Sequence, residues 1–212
     1  MKIEIWSDVA CPFCYIGKRN FETALSQFDE ANQVEVIYKS FRLDPTAPKQ
    51  PEETSVELLA KKYGTSVEEA KQMNVQITEA ARAIGLEFNL DTVIPSNTMD
   101  AHRLVKLAKT EEKEASALEQ LYKAYFIDNR NVADKETLLE IASEIGIETS
   151  NVESMLPTDD YKEAVISDHN ESKQLGVQGV PYVVFNRKYS VSGAQPAEKF
   201  LEALKQVQME EE

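Results

Sequence analysis

The N-terminal part of the chain predicts a strand, a helix and a second strand. In residues 2–6 two isoleucines alternate with polar neighbours, and residues 33–41 are rich in β-branched and aromatic side chains, so both segments predict strands. Between them a helix is predicted to begin near Cys11, and its apolar side carries four residues at helical spacing. These residues are Cys14, Phe21, Leu25 and Phe28. The pattern places Cys14 inside the protein and Cys11 at the exposed end of the helix.

The middle of the chain has the pattern of a helical insertion. Prolines between residues 45 and 51 mark a linker, after which helical signals continue to about residue 158. Three of these signals have Ser or Thr followed by Glu at the spacing of a capping box, in which each side chain bonds to the backbone of the other residue. They are Thr54 with Glu57, Ser66 with Glu69, and Ser150 with Glu153. Asp134 is also predicted to cap the helix that carries Leu138 and Ile141.

The C-terminal part returns to alternating helix and strand signals. Gly176 suits the end of a helix that begins near Asp159, and the apolar run 181–185 predicts a buried strand. A short turn at residues 186–188 leads to a further strand, and the last helix is predicted to open near Pro196. This part therefore adds two strands and a helix to the elements of the N-terminus.

The order of elements predicts the fold class and the domains. Strand, helix and strand at the N-terminus and strand, strand and helix at the C-terminus make an α/β domain, which the helical insertion interrupts. We assign residues 1–48 and 159–212 to the two parts of the α/β domain and residues 49–158 to the inserted helical domain. With 212 residues and 42% hydrophobic content, the chain can bury a sizeable core.

The charge of the chain argues against one class of partner. The formal net charge is −14, from 37 acidic and 23 basic residues, and three glutamates follow Met209. A polyanion such as nucleic acid would be repelled by this protein. The sequence shows no secretory leader pattern and no apolar window of transmembrane length. We therefore expect a soluble, cytoplasmic protein with neither a nucleic-acid nor a membrane partner.

The two cysteines of the chain, Cys11 and Cys14, stand at the start of the first predicted helix. Residues at this spacing face the same side of a helix at about 5–6 Å, close enough to form a disulfide. Cys11 would lie where unpaired N–H groups and the positive end of the helix dipole favour a thiolate, so we predict that Cys11 is the nucleophile. Pro12 suits the first helical position, and Phe13 adds an apolar side chain without charge.

Three other interpretations of the cysteine pair are weaker. A structural disulfide closing so small a loop would contribute roughly 2 kcal/mol at most, and an intracellular protein would not keep it oxidised. A zinc site would need further ligands, but His102 and His169 lie far apart in the sequence instead of about three to five residues from each other. Two inert, reduced cysteines would leave the helix-terminal placement unexplained. We therefore predict a redox-active pair and no metal site.

Three segments of the sequence resemble a known family. Residues 7–17 (SDVACPFCYIG), 97–104 (NTMDAHRL) and 176–181 (GVQGVP) are similar to the FrnE-like branch of the DsbA family of thiol–disulfide oxidoreductases. The resemblance covers nearly the whole chain and implies a thioredoxin-like fold with a large helical domain inserted before the last β-β-α unit. It also implies that Val180 and Pro181 form a cis-proline element beside the cysteines, where the Val180 backbone pairs with a substrate peptide. Members of this branch commonly have Trp in place of Phe13.

The same resemblance implies a protein disulfide oxidoreductase without a bound cofactor. Its partners would be thiol or disulfide proteins, and glutathione stays open as a co-substrate. Glutathione-dependent enzymes of the hydroxychromene-carboxylate isomerase and kappa transferase types share this architecture and resemble residues 97–104, but they usually have serine in place of Cys11 and no second cysteine. A non-enzymatic, acidic binding module is a third alternative, which would leave the cysteines unexplained.

Two further polar residues have several interpretations. Asp8, directly before the cysteine motif, fits a helix cap or a solvated loop acid better than a proton relay for Cys14. His102 fits a packed or surface histidine better than a general acid or base, because the sequence identifies no partner for it.

Overall fold

Two units make up the part of the chain that the computed structural model describes, residues 1–210. The first unit comprises residues 1–43 together with residue 165 onwards, and the second comprises residues 44–164. The boundaries predicted from the sequence, after residues 48 and 158, lie inside the second unit. The last two residues of the predicted third segment, Glu211 and Glu212, lie outside the described residues.

The first unit is built on a mixed β-sheet. Its strands are β1 (Lys2–Ser7), β2 (Glu35–Ser40), β3 (Tyr182–Phe185) and β4 (Tyr189–Ser192), in the order β2-β1-β3-β4. β1 pairs in parallel with β2, with Ile3 opposite Val36, and antiparallel with β3, with Ile5 opposite Val183. The predicted α/β class and the order β-α-β followed by β-β-α are confirmed.

Helices are found in both units. They are α1 (Pro12–Ser26), α2 (Ser55–Tyr63), α3 (Val67–Arg82), α4 (Met99–Lys109), α5 (Glu114–Phe126), α6 (Lys135–Glu144), α7 (Thr149–Met155), α8 (Lys162–Gln174) and α9 (Ala197–Met209). α1 packs against α9, where the rings of Phe21 and Phe200 meet edge to face at 5.8 Å. The apolar side predicted for α1 is confirmed for Cys14, Phe21 and Phe28, which are buried, while Leu25 is half-buried.

One carboxylate is buried within the sheet. The alternating pattern of β1 gave Glu4 a polar position, yet every residue of β1 after Lys2 is buried, and Glu4 is 3% exposed. Its carboxylate accepts hydrogen bonds from the guanidinium of Arg187, and Lys39 Nζ lies 3.8 Å from it. A buried carboxylate is tolerated where cations compensate its lost hydration. The alternation therefore fails at Glu4 because Arg187 and Lys39 pair with it.

The second unit is helical, and its helix starts test the predicted caps. Both boxes at Thr54 and Ser66 are present, at the starts of α2 and α3, so these predictions are confirmed. The box predicted at Ser150 is wrong, because α7 already begins at Thr149 and Ser150 lies inside its first turn. Asp134 holds the position before α6 but makes no capping bond, and its Oδ1 accepts from Gln50 instead.

Candidate active site

The cysteine motif forms the start of α1. Cys11 is the residue before the helix, with extended backbone angles, and Pro12 is the first helical residue. The N–H of Cys14 donates to the carbonyl of Cys11 at 3.0 Å, and the N–H of Cys11 donates to the carbonyl of Asp8 at 3.1 Å. Both cysteines are free thiols. The helix start predicted from the motif is therefore found at Cys11, with Pro12 where its missing N–H removes no helical bond.

The exposure predicted for Cys11 is wrong. Cys11 is 4% exposed and Cys14 is 1% exposed, so both thiols are buried in the dithiol state. The cause includes Val180, which is far away in sequence but adjacent in space, since the Cys11 thiol donates to the Val180 carbonyl at 3.6 Å. The exposed member of the motif is Phe13, at 45%.

Val180 and Pro181 lie directly before β3. The peptide bond between them is cis, the isomer that the family resemblance implied. Pro181 is buried, and its carbonyl accepts from the N–H of Gly193 at 2.8 Å, whereas Val180 is half-buried. The structure thus brings all four predicted positions together: Cys11 and Cys14 at the helix start, and Val180 and Pro181 beside Cys11.

The surroundings of Cys14 keep its thiol protonated. Burial raises the pKa of Cys14 well above its ordinary value, and the neighbouring Cys11 thiol and the charge of Asp8 raise it further. A hydrogen bond from the backbone of Asp8 lowers this pKa in part. Because a thiol is a weaker nucleophile than a thiolate, Cys14 is poorly suited to start an exchange reaction.

Asp8 is buried beside the motif. It is 1% exposed, its Oδ2 accepts from the N–H of Leu43 at 2.7 Å, and its Oδ1 accepts from the N–H of Ala10 at 3.4 Å. These bonds tie the end of β1 to the chain that follows β2 and to the turn before Cys11. Asp8 is therefore a buried loop acid: the solvated position expected for it is wrong, and the helix cap position belongs to Cys11. Its burial could not be seen in the sequence, where a polar residue at a strand end predicts exposure.

The segment 97–104 bonds within the second unit. The Asn97 amide donates to the carbonyl of Ala47 at 2.7 Å and accepts from the N–H of Met99 at 3.0 Å. Arg103 is 4% exposed and donates to the carboxylate of Asp100 and to a group of backbone carbonyls. These carbonyls belong to Met155, Leu156, Thr158 and Asp160. His102 is 2% exposed, which agrees with a packed histidine.

Neither a cluster of metal ligands nor a helix that could span a membrane is found among the described residues. Within residues 1–210, no three His, Cys, Asp or Glu side chains are grouped so that they could hold a metal ion. None of the helices in this part of the chain has both the length and the apolar character that a membrane span requires.

A cysteine pair at a helix start, in contact with a cis-proline segment of a mixed sheet, defines a thioredoxin-fold protein. The model of the DSBA-like thioredoxin domain matches residues 2–205, and the chain belongs to that family. It is similar to a solved structure, the probable DsbA oxidoreductase SCO1869 from Streptomyces coelicolor, with 40% identity and a TM-score of 0.94 over 99% of this chain and 91% of that chain.

The chain is also similar to one further protein in sequence and to another in fold. The chain is 29% identical to the uncharacterized protein YwbO of Bacillus subtilis (strain 168) over 162 residues. These aligned residues cover 76% of this chain and 74% of that protein. The structure of a 2-hydroxychromene-2-carboxylate isomerase has a TM-score of 0.73 at 13% identity, over 100% of this chain and 98% of that chain. This second likeness concerns the fold alone.

Proposed function

We propose that the protein is a thiol–disulfide oxidoreductase in which Cys11 and Cys14 exchange a disulfide with protein or small-thiol partners. The observation that carries the proposal is the position of both thiols at the start of α1, with Cys11 in contact with the Val180 carbonyl at 3.6 Å. Membership of the DSBA-like family supports the same chemistry.

The first step of the proposed reaction is attack by Cys11. Its thiolate attacks one sulfur of a substrate disulfide, a new S–S bond forms, and the other substrate sulfur leaves as a thiolate that takes up a proton. Cys11 is the residue directly before α1, and its thiol is in contact with the Val180 carbonyl of the proposed substrate site. Cys14 is the weaker candidate for this step because burial raises the pKa of its thiol.

The second step is attack by Cys14 on the sulfur of Cys11. Cys14 loses its proton, the bond between Cys11 and the substrate breaks, and the substrate leaves as its second thiol. The sum is one protein dithiol and one substrate disulfide converted into one protein disulfide and two substrate thiols. The steps are reversible, so the potentials of the partners set the direction. A return to the dithiol requires an external dithiol, or two molecules of a monothiol such as glutathione that are oxidised to their disulfide.

The proposed substrate contact is the backbone of Val180. An extended peptide can pair with the backbone of this residue, which lies two positions before β3 begins at Tyr182, whereas β3 itself is already paired with β1 and β4. The contact between Val180 and Cys11 then places a bound disulfide over the nucleophile. Phe13, exposed and two residues after Cys11, offers an apolar surface to the same peptide. Pro181 holds the backbone next to Val180 in place, since the Pro181 carbonyl accepts a hydrogen bond from the N–H of Gly193.

A glutathione-dependent isomerase is the weaker alternative. The isomerase likeness is a likeness of fold, and that reaction does not require a second cysteine. In the segment that resembles those enzymes, the Asn97 amide donates to Ala47 and accepts from Met99, and Arg103 binds backbone carbonyls. The exchange reaction uses both Cys11 and Cys14, so it explains the presence of both cysteines, which the isomerase reaction does not.

The test of the proposed function compares the wild type with the Cys11→Ser/Cys14→Ser double variant. We expect the wild type to accelerate insulin reduction with dithiothreitol or with glutathione as electron donor, and the double variant to fall to the uncatalysed rate. The ratio of the catalysed rate with glutathione to the catalysed rate with dithiothreitol shows whether glutathione is a partner. Equal rates for both proteins would rule out the exchange reaction. Isomerisation of a hydroxychromene carboxylate that needs glutathione and survives in the double variant would favour the alternative.

The cellular setting and the branch of the family stay predictions. The FrnE-like branch rests on the resemblance of segments 7–17, 97–104 and 176–181, and the cytoplasmic location rests on the sequence pattern. The net charge of −14 supports partners other than nucleic acid and anionic membrane surfaces.

A further inference from the structure

Gly17, one turn after Cys14 on α1, lies against the ring of Pro181. A Cβ atom added to Gly17 would stand 2.8 Å from Pro181 Cγ, 3.4 Å from Pro181 Cβ and 3.6 Å from the Cα of Ala194. Real Cβ atoms essentially never approach another heavy atom closer than 3.0 Å. The helix and the proline ring are therefore closer together than any side chain at position 17 would allow.

Glycine is needed at this position for space and not for backbone conformation. Gly17 lies inside α1 and has no positive φ, in contrast to Gly176 with its φ of 73°. In a helix interior, glycine is less stable than alanine by about 0.5–1 kcal/mol. Local helix stability thus favours alanine at position 17, and the contact with Pro181 is what opposes it.

The contact has little freedom to relax. The pyrrolidine ring of Pro181 is closed onto the backbone nitrogen and cannot turn away as a long side chain does. Pro181 is held by the bond from Gly193, and the next residue, Tyr182, pairs with Trp6 of β1. On the other side, α1 is held to α9 through Phe21. A methyl group between them would therefore push α1 and the segment of Val180 and Pro181 apart.

We propose that Gly17 is a positioning residue, which sets the separation between the Cys11 thiol and the Val180 carbonyl by letting α1 touch Pro181. The inference rests on the proposed function, in which Val180 binds the substrate backbone and Cys11 attacks its disulfide. Cys11 and Gly17 belong to the same rigid helix end, so a displacement at Gly17 is transmitted to the thiol. A misplacement of about 1 Å between reacting groups can lower a rate by roughly a hundredfold.

The test is Gly17→Ala, measured in two reactions. The first is turnover of a disulfide-containing peptide, which needs both Cys11 and Val180. The second is alkylation of Cys11 by iodoacetamide, which needs no peptide bound to Val180. We expect kcat/KM for the peptide to fall about tenfold or more, while the alkylation rate does not fall, because moving α1 away from Val180 uncovers the Cys11 thiol. A purely structural role would lower the melting temperature and leave kcat/KM of the folded protein unchanged, and that result would overturn the proposal.

Ala24→Gly is the matched control. Ala24 is fully buried on the same helix, so losing its methyl group destabilises α1 without touching Pro181. We expect this variant to melt earlier and to keep kcat/KM within about twofold of the wild type. If Ala24→Gly lowered kcat/KM as much as Gly17→Ala does, loss of helix stability would explain both, and the positioning role would be abandoned.

A double-mutant cycle with Pro181→Ala tests whether the effect passes through the ring. Alanine at 181 lacks Cγ, the atom nearest to the added methyl group. In that background Gly17→Ala should cost less than about twofold further in kcat/KM, so the two losses are not additive. A full loss in both backgrounds contradicts the proposal. If Gly17→Ala alone does not fold, the double variant should recover folding, and failure to recover it would contradict the proposal equally.

The experimental outcomes distinguish failure of the positioning role from failure of the proposed oxidoreductase function. Turnover that survives in the double cysteine variant removes the oxidoreductase proposal itself. Turnover that requires both cysteines, together with a Gly17→Ala variant of wild-type kcat/KM, removes the positioning role alone.

Discussion

The thiol of Cys11 donates a hydrogen bond to the carbonyl of Val180 across 3.6 Å. This contact joins the start of α1 to the residue two positions before β3. In the proposed reaction a peptide on Val180 meets Cys11 before Cys14, which lies one turn further into the helix and is 1% exposed. The same order follows from ionisation, since burial raises the pKa of Cys14.

The first prediction separates the roles of the two cysteines. Cys14→Ser should accumulate a mixed disulfide between Cys11 and a substrate, because the resolving thiol is absent. Cys11→Ser should accumulate none, since the remaining Cys14 thiol is buried and protonated. Non-reducing electrophoresis and intact mass spectrometry with a disulfide-containing peptide would distinguish the two variants, and dithiothreitol should reverse the adduct.

The opposite pattern would exchange these roles. Adducts on Cys11→Ser and none on Cys14→Ser would make Cys14 the nucleophile. The Cys11→Ser/Cys14→Ser double variant is the control. An adduct on it would show that the disulfide-containing peptide attaches to the protein elsewhere than at a thiol.

The second prediction concerns the stability of the dithiol form at alkaline pH. The folded state raises the pKa of Cys14 above its ordinary value of 9.0, mainly by burial. A raised pKa gives stability that is fully present below the unfolded value and is lost as the pH rises towards the folded value. The free energy of unfolding should therefore fall above the ordinary value, by up to roughly 1 kcal/mol per pH unit from this one group. Urea unfolding in a phosphine reductant, at a series of pH values, measures it.

Two variants isolate the contribution of Cys14. Cys14→Ser removes the titrating thiol, so its stability should depend less on pH above 9.0 than that of the wild type. Cys11→Ser removes a neighbour that raises the pKa of Cys14 but leaves the burial, so it should keep most of the dependence. Identical curves for the wild type and Cys14→Ser would show that burial does not hold this thiol protonated.

The third prediction concerns Arg103 in the second unit. Its buried guanidinium donates to the carbonyls of Met155 at 2.5 Å, Thr158 at 2.8 Å and Asp160 at 2.7 Å, and to the Asp100 carboxylate at 2.9 Å. Arg103→Ala leaves these acceptors without their donor and should lower the free energy of unfolding by about 3 kcal/mol. Arg103→Lys keeps a charge but not the planar donor geometry, and should cost about half as much.

Arg82→Ala is the comparison for Arg103→Ala. Arg82 is also an arginine of the second unit, but its side chain is 60% exposed and pairs with Glu87, itself 68% exposed. Such a surface pair contributes about 1 kcal/mol or less. Urea unfolding of all three variants provides the measurement, and equal losses for Arg103→Ala and Arg82→Ala would show that the carbonyl bonds do not stabilise the fold.

Local patterns in the sequence determined many of the elements and the place of the cysteine pair at a helix start. The helix start at Cys11, the proline at its first position and the capping boxes at Thr54 and Ser66 depend on residues within one turn of each other. Such short-range terms can be read without knowing the rest of the fold. Where two starts compete within one turn, as at Thr149 and Ser150, the pattern was not sufficient and the predicted box was wrong. The family resemblance, carried by short motifs, added the cis-proline segment.

The tertiary structure alone decided what surrounds the pair. The burial of Cys11 under Val180, the fit of Gly17 to Pro181 and the ion pair of Glu4 with Arg187 all join residues that are far apart in sequence. Each depends on the pairing of β1 with β3, which fixes the segments before and after β3 relative to β1 and α1. Burial and its effect on the pKa of Cys14 follow from how these elements together exclude water, and no local pattern contains that information.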